Sequence, residues 1–104
     1  MLTTTFIITG SHPSLPGHFP GHPITPGVVI LDHISRGLIS QLTNVMLDGF
    51  PQVKFLKPLL SDTEVVVTYK VRNDSLYQFS CEDKGNVFLT GKIKLKTKKI
   101  VSHG

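Results

Sequence analysis

One run of sixteen residues, Gly17-His18-Phe19-Pro20-Gly21-His22-Pro23-Ile24-Thr25-Pro26-Gly27-Val28-Val29-Ile30-Leu31-Asp32, carries a base, a backbone anion site and an acid. His18 is the candidate general base, because a neutral imidazole accepts a proton near physiological pH. Pro20, Pro23 and Pro26 narrow the freedom of the loop that bears it, which helps to hold a catalytic ring in place. Gly27 falls near the second position of a helix, where N–H groups lack partners and the helix dipole favours negative charge. Having no side chain, it lets a ligand carbonyl come close and can steady an enolate oxygen. Asp32 follows about a turn and a half further on. A carboxyl buried there among apolar neighbours keeps its proton and serves as a general acid. Together these groups can take a proton from beside a carbonyl and expel a hydroxyl. Each alone has a plainer reading: a turn histidine, a structural Ω-loop and a solvated helix aspartate. The ordered spacing of all three sets the run apart.

The surrounding pattern supplies the elements that must position these groups. Thr4 to Thr9 is β-branched and aromatic and reads as a first strand, followed by a Pro/Gly/His loop from Ser11 to Thr25. Thr25 reads as a helix N-cap and Pro26 as the first helical residue. Leu31, Ile34, Leu38, Leu42 and Val45 recur at helical spacing, and Val28, Val29, Ile30, Ile39, Met46 and Leu47 widen the stripe. The pattern predicts a long helix, wrapped nearly all round, that stops at Asp48-Gly49. A short strand is expected from Gln52 to Leu56. Alternating strands follow at Glu64 to Arg72, around Tyr77 to Cys81, and from Val87 to Lys98, with turns at Asn73-Asp74-Ser75 and Asp83-Lys84-Gly85-Asn86. Gly91 reads as a bulge. The tail from Ile100 to Gly104 reads as frayed. The expected order is strand, helix and a meander of four strands, an α+β arrangement with one sheet face on the helix.

At 104 residues, residues 1–104 form a single expected domain, small enough to gain from burying surface in an oligomer. The one cysteine, Cys81, excludes an internal disulfide. The N-terminus lacks the features of a secretion signal, and no run is long enough for a membrane span, so a cytoplasmic setting without membrane contact is expected. The net charge is +4, with Lys92, Lys94, Lys96, Lys98 and Lys99 concentrated near the end. Those at 92, 94, 96 and 98 fall on one strand face, where charge resists edge aggregation. Without aromatic residues among them to stack bases, nucleic acid is not the expected partner. His12, His18, His22 and His33 match no zinc spacing, so no metal is expected. His12 and His103 read as surface residues.

The pattern Gly17-His18-Phe19-Pro20-Gly21-x-Pro23-x-x-Pro26-Gly27-Val28-x-x-x-Asp32 resembles the active-site signature of bacterial 3-hydroxyacyl-[acyl-carrier-protein] dehydratases, the hot-dog-fold enzymes of type II fatty-acid synthesis. Val53-Lys54-Phe55-Leu56-Lys57-Pro58 resembles the strand that follows the helix in that family. The resemblance implies a hot-dog fold, an antiparallel sheet of about five strands wrapped around one long central helix. It implies His18 as base, the Gly27 N–H as oxyanion donor, the Ile24 carbonyl as the group that orients the imidazole, and Asp32 as acid. It also implies a homodimer, or an assembly of dimers, with each site drawing base and acid from different subunits. The implied reaction converts a (3R)-3-hydroxyacyl thioester on acyl carrier protein to the trans-2-enoyl thioester and water, in fatty-acid or related polyene and polyketide synthesis, with no cofactor.

Three departures mark this chain. It is short for the family. Arg36 stands one turn after Asp32, where fatty-acid members have Gln, and an i,i+4 pair of this kind favours an ionised carboxylate. His33-Ile34-Ser35 replaces the small and apolar residues usual after the acid. The lysine face, with Lys54, Lys57 or Arg36, offers an alternative role as a dock for acidic carrier protein. Two other functions use the same fold: an acyl thioesterase, which needs a carboxylate or polarised water aimed at C1, and a non-catalytic acyl-binding subunit, which Arg36 favours.

Overall fold

The computed structural model describes residues 1–9 and 25–98. The elements run β1 (Leu2–Ile7), α1 (Gly27–Ile39), β2 (Val45–Phe55), β3 (Glu64–Val71), β4 (Leu76–Asp83) and β5 (Asn86–Thr97). All strand pairs are antiparallel, in a five-stranded sheet of order β1-β3-β4-β5-β2. The frayed tail expected at Ile100 to Gly104 lies outside the described residues.

Alternation builds the centre of the sheet. Val65, Val67 and Tyr69 of β3, Tyr77, Phe79 and Cys81 of β4, and Leu89, Ile93 and Leu95 of β5 all turn to one face and are buried. The intervening Lys70, Gln78, Lys94 and Lys96 face outwards. On the inner face lies α1, which buries Val29, Ile30, Ile34 and Leu38 at spacings of one or four residues. It comes close to the sheet at Gly37, where a Cβ would stand 2.9 Å from the Thr4 hydroxyl and 3.1 Å from that of Tyr69. There the Tyr69 hydroxyl donates to the Ile34 carbonyl at 2.7 Å, and it also bonds the Thr4 hydroxyl at 3.2 Å. This pins the middle of the helix to β3 and β1.

Several expectations need correction. The helix is 13 residues long and ends at Ile39, with Ser40 as C-cap. Leu42 lies beyond its end, and Val45, Met46 and Leu47, which continue the helical spacing in the sequence, are strand residues paired with Thr97, Lys96 and Leu95. Asn44, at φ 57°, turns the chain between the two elements. Sheet pairing with a distant part of the chain decides what local spacing cannot. Asp48-Gly49 is no helix stop: β2 carries register shifts between Leu47 and Gly49 and between Gly49 and Gln52. Gly49 adopts φ 143°, a conformation that only glycine takes readily. The short strand expected at Gln52 is therefore the second half of β2.

The four-strand meander is also revised. Only β3, β4 and β5 are consecutive neighbours; β2 crosses to the far edge of β5, and β1 closes the other edge on β3. Gly91 is not a bulge. It keeps regular register with Val53 and Phe79, and a Cβ there would press to 2.7 Å from the Phe79 ring. At its other end α1 begins one residue later than expected. Pro26, extended at φ −61° and ψ 140°, is the N-cap, with no side-chain cap bond, and Gly27 is the first helical residue. Nor is the helix wrapped all round: Val28 is 74% exposed, and Asp32 and Arg36 are exposed too.

Candidate active site

The start of α1 is held by three backbone hydrogen bonds. The Thr25 N–H donates to the Leu59 carbonyl at 2.8 Å, fixing the entry to the helix against the segment after β2. The Pro26 carbonyl then accepts from the Val29 and Ile30 N–H groups at 3.1 and 3.3 Å. As the first helical residue, Gly27 has an N–H that the helix itself cannot engage. A cavity of about 380 Å³ opens beside it, lined by Thr25, Gly27, Ile30, Phe55, Leu56 and Leu59 among others, with Lys57 in its wall. The Phe55 ring crosses so close to Gly27 that a Cβ there would lie 2.8 Å from Cζ. Any larger residue would have to displace that ring. The requirement for glycine, read from the sequence as access for a carbonyl, therefore also has a packing cause.

Thr25 is 4% exposed, and its hydroxyl has no hydrogen-bond partner among the described residues. Leaving a buried hydroxyl unsatisfied costs about 1–3 kcal/mol. The sequence reading made this residue the N-cap, but the structure gives that position to Pro26 and leaves the Thr25 hydroxyl unused. No signal in the sequence marked it.

Asp32 stands on another side of α1. Five residues along an α-helix is a rotation of about 140° from Gly27. The aspartate lines a separate cavity of about 280 Å³, with Val28, Leu31, Ser35, Leu47 and Phe50. The burial that would hold a proton on Asp32 is not found within one chain: its side chain is 54% exposed and that of Arg36 78%. The i,i+4 pair read from the sequence does form, with Arg36 Nε 3.0 Å from Asp32 Oδ2 and 3.2 Å from Oδ1. The Ser35 hydroxyl donates to the Asp32 backbone carbonyl at 2.9 Å. His33, next in the chain, turns away and stacks on Phe6, with centroids 4.7 Å apart. Gly27 and Asp32 thus open onto two different cavities. His18 and Ile24 lie outside the described residues, as do His12, His22 and His103.

Two other titratable groups sit deep in the core, away from both cavities. Burial pushes the Tyr69 hydroxyl up to about 12; its bond to Thr4 works against that rise and the nearby Cys81 adds to it. Burial likewise pushes the Cys81 thiol up to about 12. At neutral pH both keep their protons. On the outer face, Asp48 stands 3.8 Å from both Lys94 and Lys96, partly neutralising that end of the lysine row.

The profile of the ApeI-like family, described as ApeI dehydratase, matches residues 1–92. The chain belongs to that family. It is also similar to curated 3-hydroxyacyl-[acyl-carrier-protein] dehydratases named FabZ. The relative from Ehrlichia chaffeensis is 29% identical over 101 residues, covering 88% of this chain and 71% of that one. The relative from Thermus thermophilus is 44% identical over 45 residues, which are 43% of this chain and only 30% of that sequence. Among solved structures, the dehydratase heterocomplex ApeI:P of Xenorhabdus doucetiae superposes with a TM-score of 0.75 at 23% identity, covering 89% of this chain and 84% of that one. A variant of the fluoroacetyl-CoA-specific thioesterase FlK superposes at 0.64 with 13% identity, covering 93% and 89%. These likenesses show the fold, a hot-dog-like antiparallel sheet with one helix. Here that helix is short.

Proposed function

We propose that the protein dehydrates a (3R)-3-hydroxyacyl thioester carried on acyl carrier protein. The observation that carries this reading is Gly27. In a chain of a dehydratase family, its uncommitted N–H opens at a helix start onto a largely apolar cavity. His18 takes the C2 proton, and the electron pair of that C–H bond moves towards the carbonyl, whose oxygen Gly27 steadies. The pair then forms the C2–C3 double bond as the C3–O bond breaks. Asp32 gives its proton to the departing hydroxyl, which leaves as water. The acyl group ends as the trans-2-enoyl thioester, and proton exchange with solvent resets both side chains.

The acid reaches the base from a second subunit. Gly27 and Asp32 of one chain open onto different cavities, so a single chain does not close the site around one substrate. The surface beside Asp32 suits a contact between subunits, since exposed Val28 and Leu47 adjoin it and β2 is an edge strand. A homodimer, or an assembly of dimers, covers that surface. The acidic carrier meets Lys54 and Lys57, the latter in the wall of the cavity beside Gly27.

The test is incubation with 3-hydroxyacyl-carrier-proteins of several chain lengths, following loss of water by mass. Turnover is expected; none at any length would overturn the enzyme reading. Mixing His18→Ala with Asp32→Ala protein should restore part of the rate through mixed dimers. A second reading, a non-catalytic subunit serving an active partner, is favoured by the Asp32–Arg36 ion pair. It predicts no turnover by this chain alone and no recovery on mixing.

A further inference from the structure

We propose that the Phe55 ring decides what the enzyme accepts at C2, the carbon beside the reacting carbonyl, and turns away acyl chains branched there. This inference rests on the dehydratase reading and deepens it, by naming a specificity residue outside the run from Gly17 to Asp32.

The ring points its tip at Gly27. A Cβ on that glycine would stand 2.8 Å from Phe55 Cζ, 3.3 Å from Cε2 and 3.5 Å from Cε1. A Cβ lies about 2.5 Å from its own backbone nitrogen, so Cζ is within about 5.3 Å of the Gly27 nitrogen. Phe55 and Gly27 also stand in the wall of one cavity, and Phe55 is half-exposed there rather than sunk in the core. An acyl group whose carbonyl oxygen sits about 2.9 Å from the Gly27 N–H therefore lies beside the ring.

The carbonyl carbon of a thioester has two flanks, the sulfur and C2. The sulfur is the same in every carrier-bound substrate, so C2 is the flank at which substrates differ. An unbranched C2 carries two hydrogens, one for the base and one that needs almost no room. A methyl in place of the second must find space within the same walls. Two of those walls are fixed: Ile30 is 1% exposed and Leu59 2%, both packed in the core. The backbone that carries the ring is fixed as well. Phe55 pairs with Leu89, and the Leu56 and Lys57 N–H groups both donate to the Phe88 carbonyl, at 2.8 and 3.3 Å. The ring thus meets the substrate from an anchored strand end, and the bulk at its tip limits the bulk at C2.

The experiment compares the full chain on 3-hydroxyacyl-carrier-protein and on its 2-methyl counterpart, the latter in both configurations at C2. The wild type should favour the unbranched substrate by about 10- to 200-fold in kcat/KM, the scale of one extra carbon against a pocket wall. Phe55→Ala removes the ring, and the preference should shrink to about threefold or less. Phe55→Leu, which keeps apolar bulk but loses the ring tip, should fall between the two and serves if the alanine variant does not fold. A merely structural role for Phe55 would slow both substrates alike and leave their ratio where it was. If the wild type takes both substrates equally, or the alanine or leucine variant keeps the wild-type ratio, the inference falls while the dehydratase reading stands. If the wild type does not turn over the unbranched substrate, the dehydratase reading falls first and takes this inference with it.

Discussion

The two sides of α1 are built differently. At its start, Thr25 is buried and clipped to Leu59, Gly27 is crossed by the Phe55 ring, and Ile30 reaches into the core. On the side that bears Asp32, the carboxylate and Arg36 are more than half exposed and Val28 is open to solvent. One side is finished within the chain; the other presents a charge on an uncovered apolar surface. Substitutions on the first side should therefore move stability as well as rate, and those on the second should move rate alone.

The sharpest test of this contrast is Asp32→Asn. On the proposed mechanism it should lower kcat by about 10²- to 10⁴-fold. Its chemical denaturation midpoint should stay close to that of the wild type, because the carboxylate is exposed in the single chain. A large loss of stability would erase the distinction between the two sides. Tyr69→Phe probes the finished side. It removes the side-chain hydrogen bond to the Ile34 carbonyl, and urea unfolding should show a loss of about 0.5–1.5 kcal/mol.

That same core makes stability sensitive to alkali. Tyr69 ionises near 10 when unfolded and about 12 when folded, and Cys81 near 9 and about 12. The unfolded chain therefore releases these protons first, so stability is full below about pH 9 and is lost as the pH rises towards 12. Tyr69→Phe should make the decline between pH 10 and 12 shallower. The smallest effect belongs to Arg36→Gln. An exposed ion pair contributes roughly 0–1 kcal/mol, so thermal melting should barely move.

Much of the sheet was legible because its signal is local. Val65, Val67 and Tyr69, then Tyr77, Phe79 and Cys81, alternate without interruption, and the turns between strands carry their own residues. The place of β2 was not legible. Val45 to Leu47 fit a helical stripe as well as a strand, and only their pairing with Leu95 to Thr97, far along the chain, decides between them. At the site, Pro26-Gly27 marked the helix start to within one residue, and the Asp32–Arg36 pair follows from i,i+4 spacing alone. The separation of Gly27 and Asp32 into two cavities depends on where β2 and its following segment pack. The unused Thr25 hydroxyl had no signature at all, since a buried threonine and a capping threonine read alike before proline.

The crossing of β2 to the far edge of β5 also sets an order of assembly. The three central strands need only short hairpins to find one another. β2 leaves the ribosome before any of them, yet its partner, β5, is made after all the other described strands. During synthesis an edge strand with apolar Met46, Leu47 and Phe55 must wait unpaired. The register breaks around Gly49, with Pro51 and Lys54 beside them, make that waiting segment a poor template for other chains. The irregularities of β2 thus protect the nascent protein until β5 arrives.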